Sequence, residues 1–395
     1  DRINHVLAAH EQGAAHAADG YARATGKTGV VIATSGPGAT NLVTGIATAF
    51  LDSVPMVAIT GNVPCDLIGR DSFQEVDIVG VTMPITKHNF IVKNVCELAD
   101  TIRMAFKIAK SGRPGPVLVD IPKDVQVAKC EFETQAQPVI PYPVTFADSK
   151  ELEKAAEMIE AAERPYIYFG GGVISGRASS EITALAEKID APMGCTLMGL
   201  SAVPSDDPRF LGMQGMHGHY ASSMAEDESD LVIALGARFS DRATGNKARF
   251  NKNFKIIHID IDGAELRKNI PADLSINGDI KDAVERLCAV VKEKKHPQWH
   301  KRIEELKAEE QRRIESARNC GFKKECSNCM HPCYNTGIPA KDRLDPYDII
   351  DIVSSHAGDS IVVNDVGQHQ MWAAQRYPLR TPRTFLTSGG LGTMG

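Results

Sequence analysis

Continuous apolar runs alternate with amphipathic stretches through the first third of the chain. Unbroken apolar runs of strand length are typical of strands buried on both faces of a parallel sheet. The predicted elements are strand Gly29–Thr34, a tight turn at Ser35–Asn41 that opens a helix through Phe50, strand Pro55–Thr60, helix Asn94–Ser111 and strand Gly115–Ile121. Their alternation predicts an α/β fold with a doubly wound parallel sheet.

The same rhythm restarts after Pro138–Asp148, a proline-rich and nearly uncharged stretch that is typical of a domain linker. The later predicted elements are strands Tyr166–Phe169, Asp230–Gly236, Lys255–Ile261 and Ser360–Asn364, and helices Ser179–Lys188, Gln298–Arg318 and Pro346–Ser355. We therefore expect three doubly wound parallel-sheet units, the first and third incomplete. Their expected bounds are residues 1–137, 148–297 and 344–395, with a helix and a Cys-rich linker at 298–343.

Length, composition and charge narrow the class of protein. A chain of 395 residues is too long for one ordinary core, which agrees with several domains. Its net charge of −6 argues against a nucleic-acid or membrane-surface protein. Its apolar runs are too short to span a bilayer and no signal peptide opens the chain, so we expect a cytoplasmic location. The chain starts at Asp1 without a Met and stops at Gly395 inside a glycine-rich phrase, so we expect a fragment.

The phrase His10-Glu11-Gln12-Gly13 precedes a run of small residues and is predicted to lie at a strand-to-helix junction. A helix face of Ala and Gly lets another backbone or a ring approach closely. A carboxylate directed from such a face to an apolar interface would have a raised pKa, which suits a proton relay near neutral pH. The alternative interpretation is that Glu11 is a solvated first-turn residue favoured by the helix dipole.

Ordered motifs follow one another along nearly the whole chain, except roughly 319–343. They are His10-Glu11-Gln12-Gly13-Ala14, Ala17-Ala18-Asp19-Gly20-Tyr21-Ala22-Arg23, Thr34-Ser35-Gly36-Pro37-Gly38-Ala39-Thr40-Asn41, Asp52-Ser53-Val54-Pro55, Gly69-Arg70-Asp71-Ser72-Phe73-Gln74-Glu75, Thr86-Lys87-His88-Asn89, Gly112-Arg113-Pro114-Gly115-Pro116, Gly236-Ala237-Arg238-Phe239-Ser240-Asp241-Arg242, Val366-Gly367-Gln368-His369-Gln370-Met371-Trp372 and Gly389-Gly390-Leu391-Gly392. Together these motifs resemble the catalytic subunit of acetolactate (acetohydroxyacid) synthases, a family of thiamine-diphosphate enzymes.

The resemblance implies a reaction and assigns its acid. In the family this glutamate, here Glu11, hydrogen-bonds the aminopyrimidine of thiamine diphosphate and favours the tautomer that removes the thiazolium C2 proton. The cofactor then decarboxylates pyruvate and the remaining two-carbon unit is ligated to a second 2-ketoacid, either pyruvate or 2-ketobutyrate. The product serves valine, leucine and isoleucine biosynthesis. The three units would be a pyrimidine-binding domain, a central FAD-type domain and the start of a diphosphate-binding domain.

The resemblance also implies residues for substrate and cofactors. The acceptor ketoacid would meet Arg242, whose planar guanidinium suits a carboxylate, together with Phe73, Lys123 and Asn62. For each of these the alternative is a structural ion pair or a core residue. Thiamine diphosphate would contact Gly36, Pro37, Val366, Gly367, Gln368, His369, Gly392 and Met394. FAD would contact Arg113, Gly170, Gly171, Gly172, His217, Arg238, Asp260 and Asp279, although a lone Gly-Gly-Gly is more often just a turn.

Two features depart from the family pattern. Asn62 stands in the phrase Gly61-Asn62-Val63-Pro64 where the family often has Gln, so a direct contact becomes water-bridged. A cluster of thiols, which the family motif lacks, is compatible with zinc or an iron–sulfur site, but its spacing fits no standard finger and favours an inserted loop with idle thiols. The cluster comprises Cys320, Cys326, Cys329 and Cys333.

Several expectations about partners and rivals follow from the resemblance. We expect a homodimer or higher oligomer, a possible regulatory small subunit, and Mg²⁺ whose ligands lie after Gly395, so that this fragment alone would be inactive. No nucleic acid or membrane partner is expected. Rival interpretations are a pyruvate oxidase, glyoxylate carboligase or oxalyl-CoA decarboxylase, or a non-catalytic FAD-binding module. Glu11 weighs against glyoxylate carboligase, and Arg242 with Lys123 favours a ketoacid acceptor.

Overall fold

The computed structural model describes residues 3–132, 145–246, 250, 252–318 and 344–394. Its strands are β1 Gly29–Ala33, β2 Met56–Asn62, β3 His88–Ile91, β4 Pro116–Pro122, β5 Pro165–Phe169, β6 Met193–Cys195, β7 Phe210–Met213, β8 Leu231–Leu235, β9 Lys255–Asp260, β10 Leu274–Asn277, β11 Val362–Asn364 and β12 Phe385–Thr387. Its helices are α1 Glu11–Thr25, α2 Pro37–Asn41, α3 Val43–Leu51, α4 Ile78–Thr82, α5 Val95–Lys110, α6 Lys123–Val127, α7 Ser149–Ala161, α8 Gly171–Ser175, α9 Ser179–Lys188, α10 Tyr220–Glu228, α11 Asp241–Thr244, α12 Ile280–Val290, α13 Pro297–Arg318, α14 Pro346–Ala357 and α15 Gln368–Arg376.

The chain divides into two compact units. Unit 1 comprises Asp1–Val144 and Leu386–Gly395, and unit 2 comprises Thr145–Phe385. Both are built around all-parallel sheets, which confirms the predicted α/β class.

The sheet of unit 1 has the strand order β1-β2-β4-β3 among the described residues. Successive residues of β2 point to opposite faces: Met56 and Ala58 pack with α1 and α3, whereas Val57 packs with α5. Strand β4 is buried along its whole length, as its apolar sequence predicts. Helices therefore cover both faces of the central strands.

The larger sheet lies in unit 2, with the order β10-β9-β8-β5-β6-β7. On β5, Ile167 and Phe169 face a core that includes residues of α7, α9 and α12. Tyr166 and Tyr168 face the opposite core, which contains Trp299 of α13. The two alternating sets make this a doubly wound sheet of the predicted kind.

Some predicted elements differ from the structure. The single helix expected up to Phe50 is divided into α2 and α3, because the amide of Leu42 bonds Ala39 O (3.1 Å) in a tight three-residue turn. The strand expected before Glu11 is wrong, since residues 4–8 have no regular secondary structure. The proposed boundaries of three domains stay a prediction.

Candidate active site

Glu11 is the first residue of α1, and His10 caps the helix by accepting the amide of Gln12 (3.1 Å). The small residues that follow serve packing: a Cβ on Gly45 of α3 would collide with Ala15 of α1. This close contact brings the N-terminal end of α1 near the α2–α3 connection. Asn41 Nδ2 consequently donates to Glu11 Oε2 over 3.0 Å.

The expected pKa of Glu11 is wrong for this chain. The hydrogen bond from Asn41 and the helix-start backbone hold the pKa of Glu11 below its ordinary value, and slight burial opposes them only partly. The side chain is only half-buried, so the desolvation that raises the pKa is too small to outweigh these hydrogen bonds. In the described residues Glu11 is a stabilised carboxylate.

A glycine-rich turn lies beside this carboxylate. Gly36 has a φ of 62° and a Cβ there would meet Gln74 O at 2.8 Å, so the turn requires glycine. Pro37 occupies the first position of α2. A Cβ on Gly38 would lie 3.4 Å from Glu11 Oε1, so glycine at position 38 leaves that side of the carboxylate open.

Asn62 ends β2, and its amide is used within the chain. Its Nδ2 donates to Asp120 Oδ2, and its Oδ1 accepts the amide of Val63 (2.8 Å). Thr60 Oγ1 donates to the other oxygen of Asp120 over 2.7 Å. Burial raises the pKa of Asp120 despite these two bonds. The sequence analysis did not predict a role for Asp120 or for Asn41. The single acidic residue in the otherwise apolar sequence of β4 could have identified Asp120.

The remaining predicted residues of unit 1 are distributed over its surface. Phe73 is 88% exposed, and Lys123 is exposed at the start of α6. Arg113 Nε donates to Ser53 Oγ over 2.8 Å. Gly392 has a φ of 79°, its amide bonds Ser388 Oγ (3.1 Å), and Met394 is exposed.

The triple glycine of unit 2 follows β5 as predicted. A Cβ on Gly170 would collide with Gly236 O, and one on Gly172 would lie 2.7 Å from Gly236 Cα. Backbone packing between the ends of β5 and β8 therefore explains two of the three glycines. Gly171 instead faces Met198.

Other predicted residues of unit 2 have structural contacts. Asp279 caps α12 by accepting the amides of Lys281 and Asp282, and the buried Asp260 accepts the amide of Asp262. Arg238 O accepts Asn269 Nδ2, and His217 O accepts Gln375 Nε2.

Arg242 lies in α11, and its side chain is 74% exposed. Its Nε is 3.9 Å from Asp241 Oδ2 and its guanidinium contacts Met216 Sδ (3.4 Å), so it is only weakly paired. Further along unit 2, Gly367 precedes α15, whose first two residues, Gln368 and His369, are exposed; Val366 is half-buried.

The described ranges contain no candidate metal-binding cluster and no candidate membrane-spanning helix. The four clustered cysteines lie outside these ranges, so their prediction is not addressed. Within them no three His, Cys, Asp or Glu side chains are grouped to bind a metal ion. No helix among the described residues is both long and apolar enough to cross a membrane.

Three family models match the chain in order. They describe the N-terminal binding domain of thiamine pyrophosphate (thiamine diphosphate) enzymes at residues 1–81, the central domain at 152–287 and the C-terminal binding domain at 365–395. The chain belongs to the thiamine pyrophosphate enzyme family. The predicted family resemblance and the thiamine diphosphate cofactor class are thereby confirmed.

Curated relatives within the family are acetolactate synthases. The chain is 47% identical to acetolactate synthase isozyme 1 large subunit of Escherichia coli, covering 100% of this chain and 66% of the relative. It is 47% identical to a probable acetolactate synthase large subunit of Methanocaldococcus jannaschii, covering 99% and 65%. It is 46% identical to acetolactate synthase of Mycobacterium bovis, covering 100% and 62%. The chain thus spans just under two thirds of the length of these relatives.

Proposed function

We propose that this chain forms part of an acetolactate synthase, which decarboxylates pyruvate and ligates the two-carbon unit to pyruvate or 2-ketobutyrate. The observation that carries the proposal is the 47% identity to an acetolactate synthase large subunit, which extends along the entire chain. The order of the three family models supports it. The location in the cytoplasm stays a prediction.

The neighbourhood of Glu11 fits the pyrimidine ring of thiamine diphosphate. When bound, this cofactor supplies the electron sink for decarboxylation. Glu11 offers a half-buried carboxylate at the start of α1, and Gly38 leaves space beside Oε1. Asn41 holds Oε2 in place, so Oε1 is the atom we assign to receive and return a proton at the ring.

Arg242 is the residue that we assign to the carboxylate of the acceptor ketoacid. Its guanidinium is exposed and its contact with Asp241 is long, so a substrate carboxylate meets little competition for its charge. Phe73 and Lys123 are exposed in unit 1, and we assign each of them to a contact with substrate. We also assign Asn62 to substrate binding. Its hydrogen bond to Asp120 fixes the orientation of its side-chain amide.

Further cofactors and partners are part of the proposal. Mg²⁺ would neutralise the charge of the diphosphate. FAD would lie against the residues assigned to it in the sequence, among them the half-buried Gly171 beside Met198. The large-subunit relatives suggest a regulatory small subunit, and we propose a homodimer or higher assembly.

The decisive experiment compares Glu11→Gln with Glu97→Gln in the complete protein. Glu97 is the acidic residue in the first turn of α5, so it controls for loss of a helix-start charge. Loss of Glu11 should lower both acetolactate formation and proton exchange at thiazolium C2 by about 100-fold or more, while Glu97→Gln has no effect. Wild-type exchange in Glu11→Gln would refute the role of Glu11.

Product analysis separates the rival functions. Acetolactate from pyruvate supports the proposal. Acetyl phosphate with peroxide would indicate a pyruvate oxidase, and retained flavin without any turnover would indicate a non-catalytic FAD-binding module.

A further inference from the structure

A buried ion cluster joins α1 to the end of α3. Arg23 Nε contacts Asp19 Oδ2 at 2.6 Å, and Arg23 Nη2 contacts Asp52 Oδ2 at 2.8 Å. The three side chains are 10%, 9% and 0% exposed, respectively. Burial alone would lower the pKa of Arg23, but Asp19 and Asp52 together raise it, so the guanidinium stays charged.

The cluster also forms hydrogen bonds with a distant stretch of backbone, which we call the Thr387–Met394 segment. Arg23 Nη1 donates to Thr387 O over 3.0 Å. The amides of Gly389 and Gly390 donate to the two carboxylate oxygens of Asp52 over 3.0 and 2.7 Å. More than 330 residues along the chain separate Asp52 from these amides (337 and 338).

Charge explains why the amides are needed. With both acids ionised, the cluster carries one cation and two anions, so one buried negative charge is left over. Buried charges are tolerated when hydrogen bonds replace water, and bonds from N–H groups to a carboxylate are among the stronger ones. The amides of Gly389 and Gly390 supply those bonds to Asp52. The segment is thus part of the cluster's electrostatic balance.

Close packing against the end of α3 is a second constraint on the Thr387–Met394 segment. A Cβ on Gly390 would lie 2.7 Å from Leu51 Cβ and 3.0 Å from Asp52 Oδ1, so only glycine lets the backbone come this close to the end of α3. Beyond it, Ser388 Oγ accepts the amides of Gly392 (3.1 Å) and Thr393 (3.2 Å). The constraint is thereby carried toward Met394.

We propose that Arg23 and Asp52 are positioning residues for thiamine diphosphate, which hold the Thr387–Met394 segment at a fixed place relative to α1. This rests on the proposed function, in which Gly392 and Met394 line the cofactor and Glu11 begins α1. Arg23 lies twelve residues from Glu11, or about 18 Å along the helix, so the cluster acts through geometry and touches no substrate.

The test uses two variants that loosen the segment in different ways. Asp52→Asn keeps the shape but removes one acceptor and the charge. Gly390→Ala leaves every charge in place and displaces the backbone. Their matched controls are Asp100→Asn, in an exposed ion pair with Arg103, and Gly20→Ala, where a Cβ meets nothing within 4 Å.

Three quantities are measured in the complete protein. Hydrogen exchange of residues 388–394 is followed without cofactor. The Kd for thiamine diphosphate is measured with Mg²⁺ present, and the KM values for cofactor and for pyruvate are compared. The Tm reports whether each variant folds.

Both test variants should exchange the segment amides faster and bind the cofactor about tenfold or more weakly, as expected from losing one hydrogen bond to a charged group. The KM for pyruvate and the values of both controls should stay within about twofold. Unchanged exchange in a folded Gly390→Ala would overturn the proposal. So would faster exchange with an unchanged cofactor Kd, because the cluster would then only stabilise the fold.

A wild-type protein that binds no thiamine diphosphate would instead refute the proposed function and, with it, the cofactor role. The exchange measurement would still decide whether Asp52 holds the segment, so the two failures are distinguishable.

Discussion

Glu226 lies on α10 in the core of unit 2 and is 7% exposed. Its Oε1 has no hydrogen-bond partner of normal geometry among the described residues. Burial raises the pKa of Glu226 to about 8, and contact with Gln214 offsets this only in part. The carboxyl is therefore protonated in the folded chain at neutral pH.

The consequence for stability has a definite sign. The folded pKa of about 8 exceeds the ordinary value of 4.5, so between these pH values the folded state binds one more proton than the unfolded state. Stability therefore falls as the pH rises through that window, by about 1.4 kcal/mol per pH unit. Relative to low pH, where the carboxyl is protonated in both states, the free energy of unfolding is lower by roughly 3 kcal/mol at pH 7. At pH 5 it is lower by less than about 1 kcal/mol.

Glu226→Gln removes the titration while keeping the shape. We expect it to stabilise unit 2 by up to roughly 3 kcal/mol at pH 7 and by much less at pH 5. Denaturant unfolding from pH 5 to 9 measures this, with the exposed Glu157→Gln of α7 as the control. A variant that is equally or less stable at every pH would show that Glu226 is ionised and paired in the fold, and the argument would fail.

Three further predictions concern the site and the cysteines. Glu11→Gln should lower C2 proton exchange by about 100-fold or more in a chain that still folds, as measured by C2 proton exchange and thermal unfolding; wild-type exchange would contradict it. Arg242→Ala should impair carboligation more than decarboxylation, at a cost on the order of 2–5 kcal/mol if bound substrate buries the ion pair; equal losses in the two half-reactions would assign Arg242 to the fold or the flavin. In protein purified anaerobically, the Cys320–Cys333 segment should hold less than one equivalent of zinc or iron per chain by elemental analysis, and stoichiometric zinc or iron that is lost in Cys326→Ser would contradict the interpretation of an inserted loop without metal.

Strands buried on both faces were predictable from sequence, and so were the partly exposed β1 and β11, whereas the short strands β3 and β6 were not. Strands β4, β5 and β8 are continuous apolar runs, and their positions match the prediction. Strand β3 is an edge strand with half-exposed residues, and β6 has only three residues with an irregular register to its neighbour. Neither leaves a periodic signal long enough to read.

The sequence predicted which residues belong to the candidate site, but it did not predict the contacts between them. The motif around Glu11 identified the acid, and the start of α1 agrees with it. Its partner Asn41 is 30 positions away, and Asn62 and Asp120 are 58 positions apart. A single sequence contains no information that pairs such distant polar groups. The predicted direction of the pKa shift of Glu11 was wrong for the same reason, because that direction depends on its hydrogen-bond partner.

The lowered pKa of Glu11 bears on how a proton relay forms at this position. An open carboxylate that accepts from Asn41 is a weak base at neutral pH, so the described state is not yet suited to the proposed role. A flat ring placed over Oε1, in the space that Gly38 leaves, would exclude water from the carboxylate and oppose the effect of Asn41. Desolvation favours the neutral acid, so the pKa would rise only when the ring is bound. On the proposed function, cofactor binding itself would convert Glu11 from a stabilised helix-start anion into the proton relay.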